Sequence, residues 1–377
     1  MIATSWIAHT LLKVLRFREL LRGYRNLPDG ANVRPYSKPL ASVYCIAACY
    51  RKTMLARRIS MTGQKALWTP SEDFKAKQPL TLFMQWCAER LGRSFADYDD
   101  FHRWSVEDRA AFWSAVWDYC GVIGDKGDVV LSNGDDMLNA RFFPEARLNF
   151  AENLLAHAGE GDALIFRGEN KVADRWSWSR LTATVSRLQQ ALSAMGIGEG
   201  DRVAAMMPNM PETVALMLAV TSLGAIWSSC SPDFGDQGVL DRFGQIEPKL
   251  FVACDGYWYS GKRQDVSDKI VAVAAKLDVP VLVVPYAGDT AALIERLADG
   301  RSFEQFITDF SVKDIEYRRL PFSHPIYILF SSGTTGVPKC IVHSAGGTLL
   351  QHLKEHRFHC GLEAGERLFY FTTCGWM

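Results

Sequence analysis

Residues 326–343 read IYILFSSGTTGVPKCIVH, and how this stretch is read decides the fold. An apolar β-like run, 326–330, leads into Ser331, Ser332, Gly333, Thr334, Thr335, Gly336, Val337, Pro338 and Lys339, and a second apolar run leaves it. The two glycines free the backbone to bend around an anion. The four hydroxyls and the loop amides offer donors to phosphate oxygens, and Lys339 supplies a compact positive charge. These are the ingredients of a triphosphate cradle. The ordinary P-loop requires G-x-x-x-x-G-K-[ST] running straight into a helix. Here Pro338 precedes the lysine and 340–342 is extended in character, so that reading fails on both spacing and context.

Working upstream from the loop, short β-like runs alternate with helical ones. The β-like runs are 202–207, 225–228, 250–253 and 279–284; the helical ones are 211–223, 238–245 and 267–277. Such alternation predicts an α/β fold, a mostly parallel sheet with helices on its faces. Before it, ALIFR and RWSW flank the Gly168-Glu169-Asn170 turn and predict a hairpin. Leu181, Val185, Leu188, Leu192 and Met195 then step by four and three, which predicts a helix stopped by Gly196.

Nearer the N-terminus, Leu80, Phe83, Cys87 and Leu91 form a helical stripe that Thr81 would cap and Gly92 would end. Ser105 with Asp108 three residues later resembles a capping box, and Val106, Ala110, Trp113, Trp117 and Cys120 continue along one face as a core stripe. Residues 1–60 differ in character: eleven Lys and Arg stand against only Glu19 and Asp29, beside Ile7, Leu11, Val14 and Leu15 at helical spacing. Three readings stay open. The segment is an untranslated lead-in to a start at Met61, an amphipathic targeting or membrane-surface helix, or a structural arm. No apolar stretch reaches the roughly 18 residues expected of a spanning helix.

The whole chain carries 42 basic and 42 acidic side chains among 377 residues, with 48% hydrophobic, so no global field steers it onto nucleic acid. The length exceeds one compact core and predicts more than one domain or a large composite one. Nine scattered cysteines without a C-x-x-C pair predict reduced thiols in a cytosolic protein. His352, His356, His359 and Cys360 form the densest group of soft ligands. However, Leu353 stands where H-E-x-x-H needs its glutamate, so the expectation is an exposed polar helix face and no metal. YWYSGKR, 257–263, combines aromatic faces with Gly261, Lys262 and Arg263, which suits stacking on an adenine and pairing with a phosphate. A solvated basic turn accounts for it too.

The nine residues 331–339 resemble the phosphate-binding signature of the adenylate-forming ligases, a superfamily that contains the acyl-CoA synthetases. One departure is Cys340, where the signature usually has glycine. NARFFPEARLNFAENLL at 139–155, SPDFG at 231–235 and YWYSGKR look more like the acetoacetyl-CoA synthetase branch than the acetyl- or propionyl-CoA branches. The resemblance covers residues from about Leu67 onward. Beyond the basic extension at 1–60, it implies a helical entry region at 61–160 and the front part of the AMP-binding domain at 161–377.

It further implies activation of acetoacetate by ATP, with Mg2+, to an acyl-adenylate, followed by transfer to CoA. Acetate or another short acid is the alternative substrate. Ser331, Ser332, Gly333, Thr334, Thr335, Gly336 and Lys339 would hold the ATP phosphates, with Lys339 catalytic. By the same resemblance Gly261, Lys262 and Arg263 would contact CoA. FTTCGWM at 371–377 would line the acyl pocket, with Met377 reaching into it; a plain buried strand-to-turn segment is the alternative. The small C-terminal domain of the superfamily, with its adenylation lysine, and the acidic metal-contacting motif are expected to be absent. These 377 residues alone are therefore expected to lack turnover.

Overall fold

The computed structural model describes residues 67–156, 159–331 and 336–375. The readings made for residues 1–61, for residues 332–335 and for Trp376 and Met377 lie outside these. From Pro70 on, the described residues are built around a seven-stranded sheet.

Its strands in chain order are β1 (Arg202–Met206), β2 (Ile226–Cys230), β3 (Leu250–Cys254), β4 (Val281–Val284), β5 (Gly300–Ser302), β6 (Pro325–Phe330) and β7 (Cys340–Ser344). In space they run β5-β4-β3-β1-β2-β6-β7. All neighbours pair parallel except β6 and β7, which pair antiparallel from Phe330↔Cys340 to Pro325↔Ser344. The expected mostly parallel α/β architecture is what folds. The antiparallel β7 follows from the short span 331–339, which is far too brief for the crossover a parallel partner needs.

Helices cover both faces, which explains why the strands read as unbroken apolar runs rather than alternating ones. Val203 and Ala205 of β1 pack with Leu188 and Leu216, from Trp178–Ala194 and Pro211–Ser222 on one side. Ala204 and Met206 pack on the other with Val239, Phe243 and Ile270, from Asp236–Phe243 and Ser267–Leu277. The helix Pro211–Ser222 shows no polar stripe between Val214 and Val220, as suits a helix buried on nearly every side. The predicted hairpin forms as Asp162–Gly168 paired with Val172–Ser177. Gly196, at φ 77°, ends the helix after it.

A third cluster joins the N-terminal helices to the sheet's far edge, with Phe83, Trp117, Phe143, Phe322, Leu349 and Phe358 among its buried members. Two expectations are corrected here. The stripe from Leu80 is the helix Pro79–Leu91, but it is entered through Gln78 and Pro79, so Thr81 lies inside it rather than capping it. The fixed φ of proline suits a first helical position, and it takes the start. Ser105 does not open a helix either: it lies within Tyr98–Glu107, and Asp108 itself caps the next one, Arg109–Cys120, by accepting from Ala111 N–H at 3.0 Å. Asp108 breaks the run because its short carboxylate bonds the backbone ahead of it, a geometry that a helix interior lacks. Val106 accordingly belongs to the first of the two helices and is exposed, outside the core stripe.

Asn149 ties these parts together. Buried, it caps the short helix Phe150–Leu155 by accepting from Glu152 N–H, and it donates to the carbonyls of Thr221 and Ser222 at 3.1 Å and of Arg318 at 2.9 Å. The RLNF segment is thereby fastened to the end of the buried helix and to the strap leading into β6. Among the described residues, no helix is long and apolar enough to cross a membrane, and the described cysteines are free thiols.

Candidate functional site

In open parallel sheets, ligands bind outside the carboxyl ends of the strands. The described parts of all three segments singled out from the sequence meet that edge. The phosphate-type loop leaves the end of β6, the 257–263 segment leaves the end of β3, and residues 372–375 cross the ends of β1 and β2.

The loop is pinched shut at its neck. Ser331 N–H donates to Lys339 O at 3.0 Å, and Lys339 N–H donates to Ser331 Oγ at 3.1 Å. The buried strand β6 fixes one limb and the antiparallel β7 the other. Gly336 sits at φ 96°, a backbone state that disfavours any side chain. Lys339 is exposed beside the neck. Ser331, Gly336 and Lys339 are thus gathered in one loop, with Ser332, Gly333, Thr334 and Thr335 lying outside the described residues.

The 257–263 segment is a β-hairpin, Gly256–Tyr259 with Lys262–Asp265, turning at Ser260 and Gly261. Their φ values of 51° and 74° give the twisted two-residue turn that suits paired strands, and the second position needs glycine. The two sequence readings of this segment, a stacking and phosphate-pairing site or a solvated basic turn, both leave out the strands. The signal lay in the β-propensity of Tyr257, Trp258 and Tyr259 directly before a Ser-Gly pair. At the root, buried Asp255 accepts the N–H groups of Tyr286, Ala287 and Gly288 at 2.8–2.9 Å and the Thr290 hydroxyl at 2.6 Å. At the tip, Gly261 N–H donates to Glu169 Oε2 at 2.6 Å, and the Lys171 ammonium lies 5.5 Å from the Trp258 ring centre. Glu169 therefore ties the earlier hairpin's turn to this one, a contact across 92 residues that no local pattern announces. Lys262 and Arg263 stand exposed on the returning strand. Burial, together with a hydrogen bond to Asp233, pushes the Tyr257 phenol well above its usual range, so the hydroxyl stays protonated.

Along β1 and β2, Asn209 Nδ2 donates to Thr372 O at 2.6 Å, Ser229 Oγ to Cys374 O at 2.7 Å, and the Cys374 thiol to Met207 O at 3.0 Å. Burial lifts that thiol to about 11, so it acts as a structural donor rather than a nucleophile. Beneath lies a largely apolar cavity of about 330 Å³, lined by Phe150, Met217, Trp227, Tyr327, His352 and Cys374 among others. His352 and His356 stack with centroids 6.0 Å apart on the exposed face expected of that helix, Ala345–Lys354 and its continuation. Desolvation and the neighbouring imidazoles of His356 and His343 depress His352.

The mostly parallel α/β fold agrees with what the chain is similar to. The model of AMP-binding enzymes matches residues 152–377, and that of the acetyl-coenzyme A synthetase N-terminus matches 98–154. The acetoacetyl-coenzyme A synthetase of Rhizobium meliloti (strain 1021) is 68% identical over 84% of this chain and 49% of its own length. The malonamoyl-CoA synthetase of Penicillium aethiopicum is 38% identical over 84% of this chain and 45% of its own. Among solved structures, the acetoacetyl-CoA synthetase from Streptomyces lividans superposes with a TM-score of 0.77 at 36% identity, covering 83% of this chain and 48% of that one. The chain spans about half the length of the curated relatives it matches. Because the matched family model covers more than half of these residues, including the whole sheet and the pinched loop, the chain belongs to the AMP-binding enzymes.

Proposed function

We propose that this chain supplies the ATP-phosphate loop and part of the CoA path of an acid–thiol ligase that converts acetoacetate, ATP and CoA to acetoacetyl-CoA, AMP and pyrophosphate. The observation that carries this reading is the doubly bonded neck between Ser331 and Lys339 at the carboxyl edge of the sheet, on a chain 68% identical to an acetoacetyl-coenzyme A synthetase. In the first step a carboxylate oxygen of the acid attacks the α-phosphorus and the bond to the β-phosphate breaks. Negative charge then moves onto the departing pyrophosphate. A cation and loop donors fixed beforehand stabilise that charge without reorganising, which is where Lys339, Ser331 and the backbone at Gly336 act. In the second step the CoA sulfur attacks the acyl carbon, AMP leaves, and the thiol proton passes to solvent.

The donor set fits a triphosphate: hydroxyls, amides and one ammonium, with no carboxylate in the loop itself. Mg2+, which supplies further charge neutralisation when bound, would therefore arrive mainly on the phosphates. Lys262 and Arg263 offer cations to the phosphates of CoA, and Met377 is proposed for the acyl pocket. The free thiols fit a reducing, cytosolic setting. A second reading, another short acid in place of acetoacetate, is favoured by the 38% identity to a malonamoyl-CoA synthetase.

Two measurements test the proposal. Titrating the 377-residue chain with MgATP should show binding that K339A weakens; equal affinity in both would remove the loop from the site. On the natural gene product that carries this sequence, acid-dependent exchange of pyrophosphate into ATP across a panel of short acids should be fastest with acetoacetate. A preference for malonamate or acetate would select the second reading.

A further inference from the structure

We infer that Gln245 is a positioning residue for Lys339, holding the ammonium-bearing limb of the phosphate loop in register. The inference rests on the proposed role of that loop. Gln245 lies just beyond the end of the helix Asp236–Phe243, 93 residues before Pro338. Its Nε2 donates to Pro338 O at 2.9 Å, and its Oε1 lies 3.8 Å from the Cys340 thiol. Pro338 and Cys340 are the two residues that flank Lys339. One carboxamide therefore grips the backbone on one side of the lysine and the side chain on the other.

The same carboxamide is itself held. Its second N–H is used on Asp241 O, one turn back, which fixes the plane of the amide. Desolvation raises the Cys340 thiol, keeping it protonated and able to donate to Gln245 Oε1. Arg242, three residues earlier, sits with its guanidinium 4.0 Å from the Phe234 ring centre and 6.0 Å from that of Phe330, the last residue of β6. Thus the end of this helix meets the loop at both limbs, Arg242 at the entry and Gln245 at the exit.

The geometry gives this clamp a purpose beyond stability. Gln245 is exposed, and hydrogen bonds in water add little to folding. The neck bonds between Ser331 and Lys339 already close the loop, but they fix only the backbone of Lys339. Bonds to both flanking residues brace the stretch on either side of it as well, and orientation of a charge toward a triphosphate is where small displacements weaken binding. An amide that can donate and accept at once fits the task; Glu, which only accepts when ionised, does not.

The test compares Q245M, which keeps the length of the side chain and removes all three bonds, with Q245A as a second variant that adds no bulk. Titration of the purified chain with MgATP should show affinity reduced about threefold to tenfold in both variants, the size expected for losing one or two hydrogen bonds. Affinity for AMP, which lacks the β- and γ-phosphates, should stay within about twofold, and the melting temperature should be unchanged. MgATP affinity within twofold of the parent, or an equal loss for AMP and ATP, overturns the inference. K339A separates the two levels: if it too leaves MgATP binding unchanged, or the parent chain binds no MgATP, the reading of the loop falls and Gln245 with it.

Discussion

Ser331 and Lys339 bond each other twice, N–H to carbonyl at 3.0 Å and N–H to hydroxyl at 3.1 Å, so the loop between them has a closed neck and a fixed exit for the lysine. S331A removes one of the two bonds. We expect it to weaken MgATP binding by about twofold to tenfold while shifting stability by no more than about 0.5 kcal/mol, because the bond is solvent-exposed. K339A should lose more, about tenfold or above, since charge-assisted contacts are stronger. Its deficit should shrink as salt rises, because screening already weakens the parent. Calorimetric titration at two ionic strengths decides; a deficit independent of salt would mean that Lys339 acts through shape and not charge.

The loop and the sheet were legible because their signals are local. Nine consecutive residues carry the loop chemistry, and each strand with its following helix changes periodicity within about a dozen residues. Apart from the hairpin at 256–265, whose signal was local, what sequence reading missed depends on contacts between distant residues. Gln245 reaches Pro338 across 93 positions and Glu169 reaches Gly261 across 92, and neither is marked by composition. The two misplaced helix starts have a different origin. Thr81 and Ser105 are both acceptable caps, and the contest was settled by stronger competitors nearby, Pro79 and Asp108.

Asn149 is the residue whose loss should cost the fold most for its size. Its carboxamide serves three carbonyls and caps one helix while nearly inaccessible to water. N149A leaves those carbonyls short of a donor and should destabilise by about 2–4 kcal/mol. N149D should be worse, because an acceptor-only carboxylate would face carbonyl oxygens. Thermal unfolding measures both. A fall of less than about 2 °C in N149A would show that water replaces the amide.

His352 should make stability fall in mild acid. Its folded-state pKa is depressed below the ordinary 6.5 by desolvation first and then by His356 and His343, with Glu355 acting the other way. As pH drops below about 6.5 the unfolded chain takes up a proton that the folded chain resists, so stability present at neutral pH is lost through that window. His359, also depressed, adds in the same direction. H352Q should flatten the dependence. Because the ring is partly in solvent, the difference should be about 1–2 °C in Tm between pH 7.5 and 5.5. Parallel pH curves for parent and variant would sink the assignment.

Glu169 joins the two hairpins, and its effect should be read on CoA and not on ATP. Its carboxylate accepts the Gly261 N–H at 2.6 Å at the tip that carries Lys262 and Arg263, while Lys171, two residues on, lies near the face of Trp258. Two opposite consequences follow from placing a carboxylate there. As an anchor it would hold the cations in place, whereas as a negative charge near the tip it would repel an incoming phosphate. E169A and E169Q separate these, since glutamine keeps an acceptor for Gly261 but removes the charge. The short bond and the left-handed backbone of Glu169, at φ 53°, favour the anchor, because such a conformation is held only when its surroundings over-determine it. We therefore expect E169A to weaken CoA binding about threefold to tenfold and E169Q to stay within about twofold of the parent, with MgATP affinity unchanged in both. Tighter CoA binding in both variants would instead identify Glu169 as a competitor for the phosphate, and the Gly261–Glu169 contact as one that ligand entry breaks.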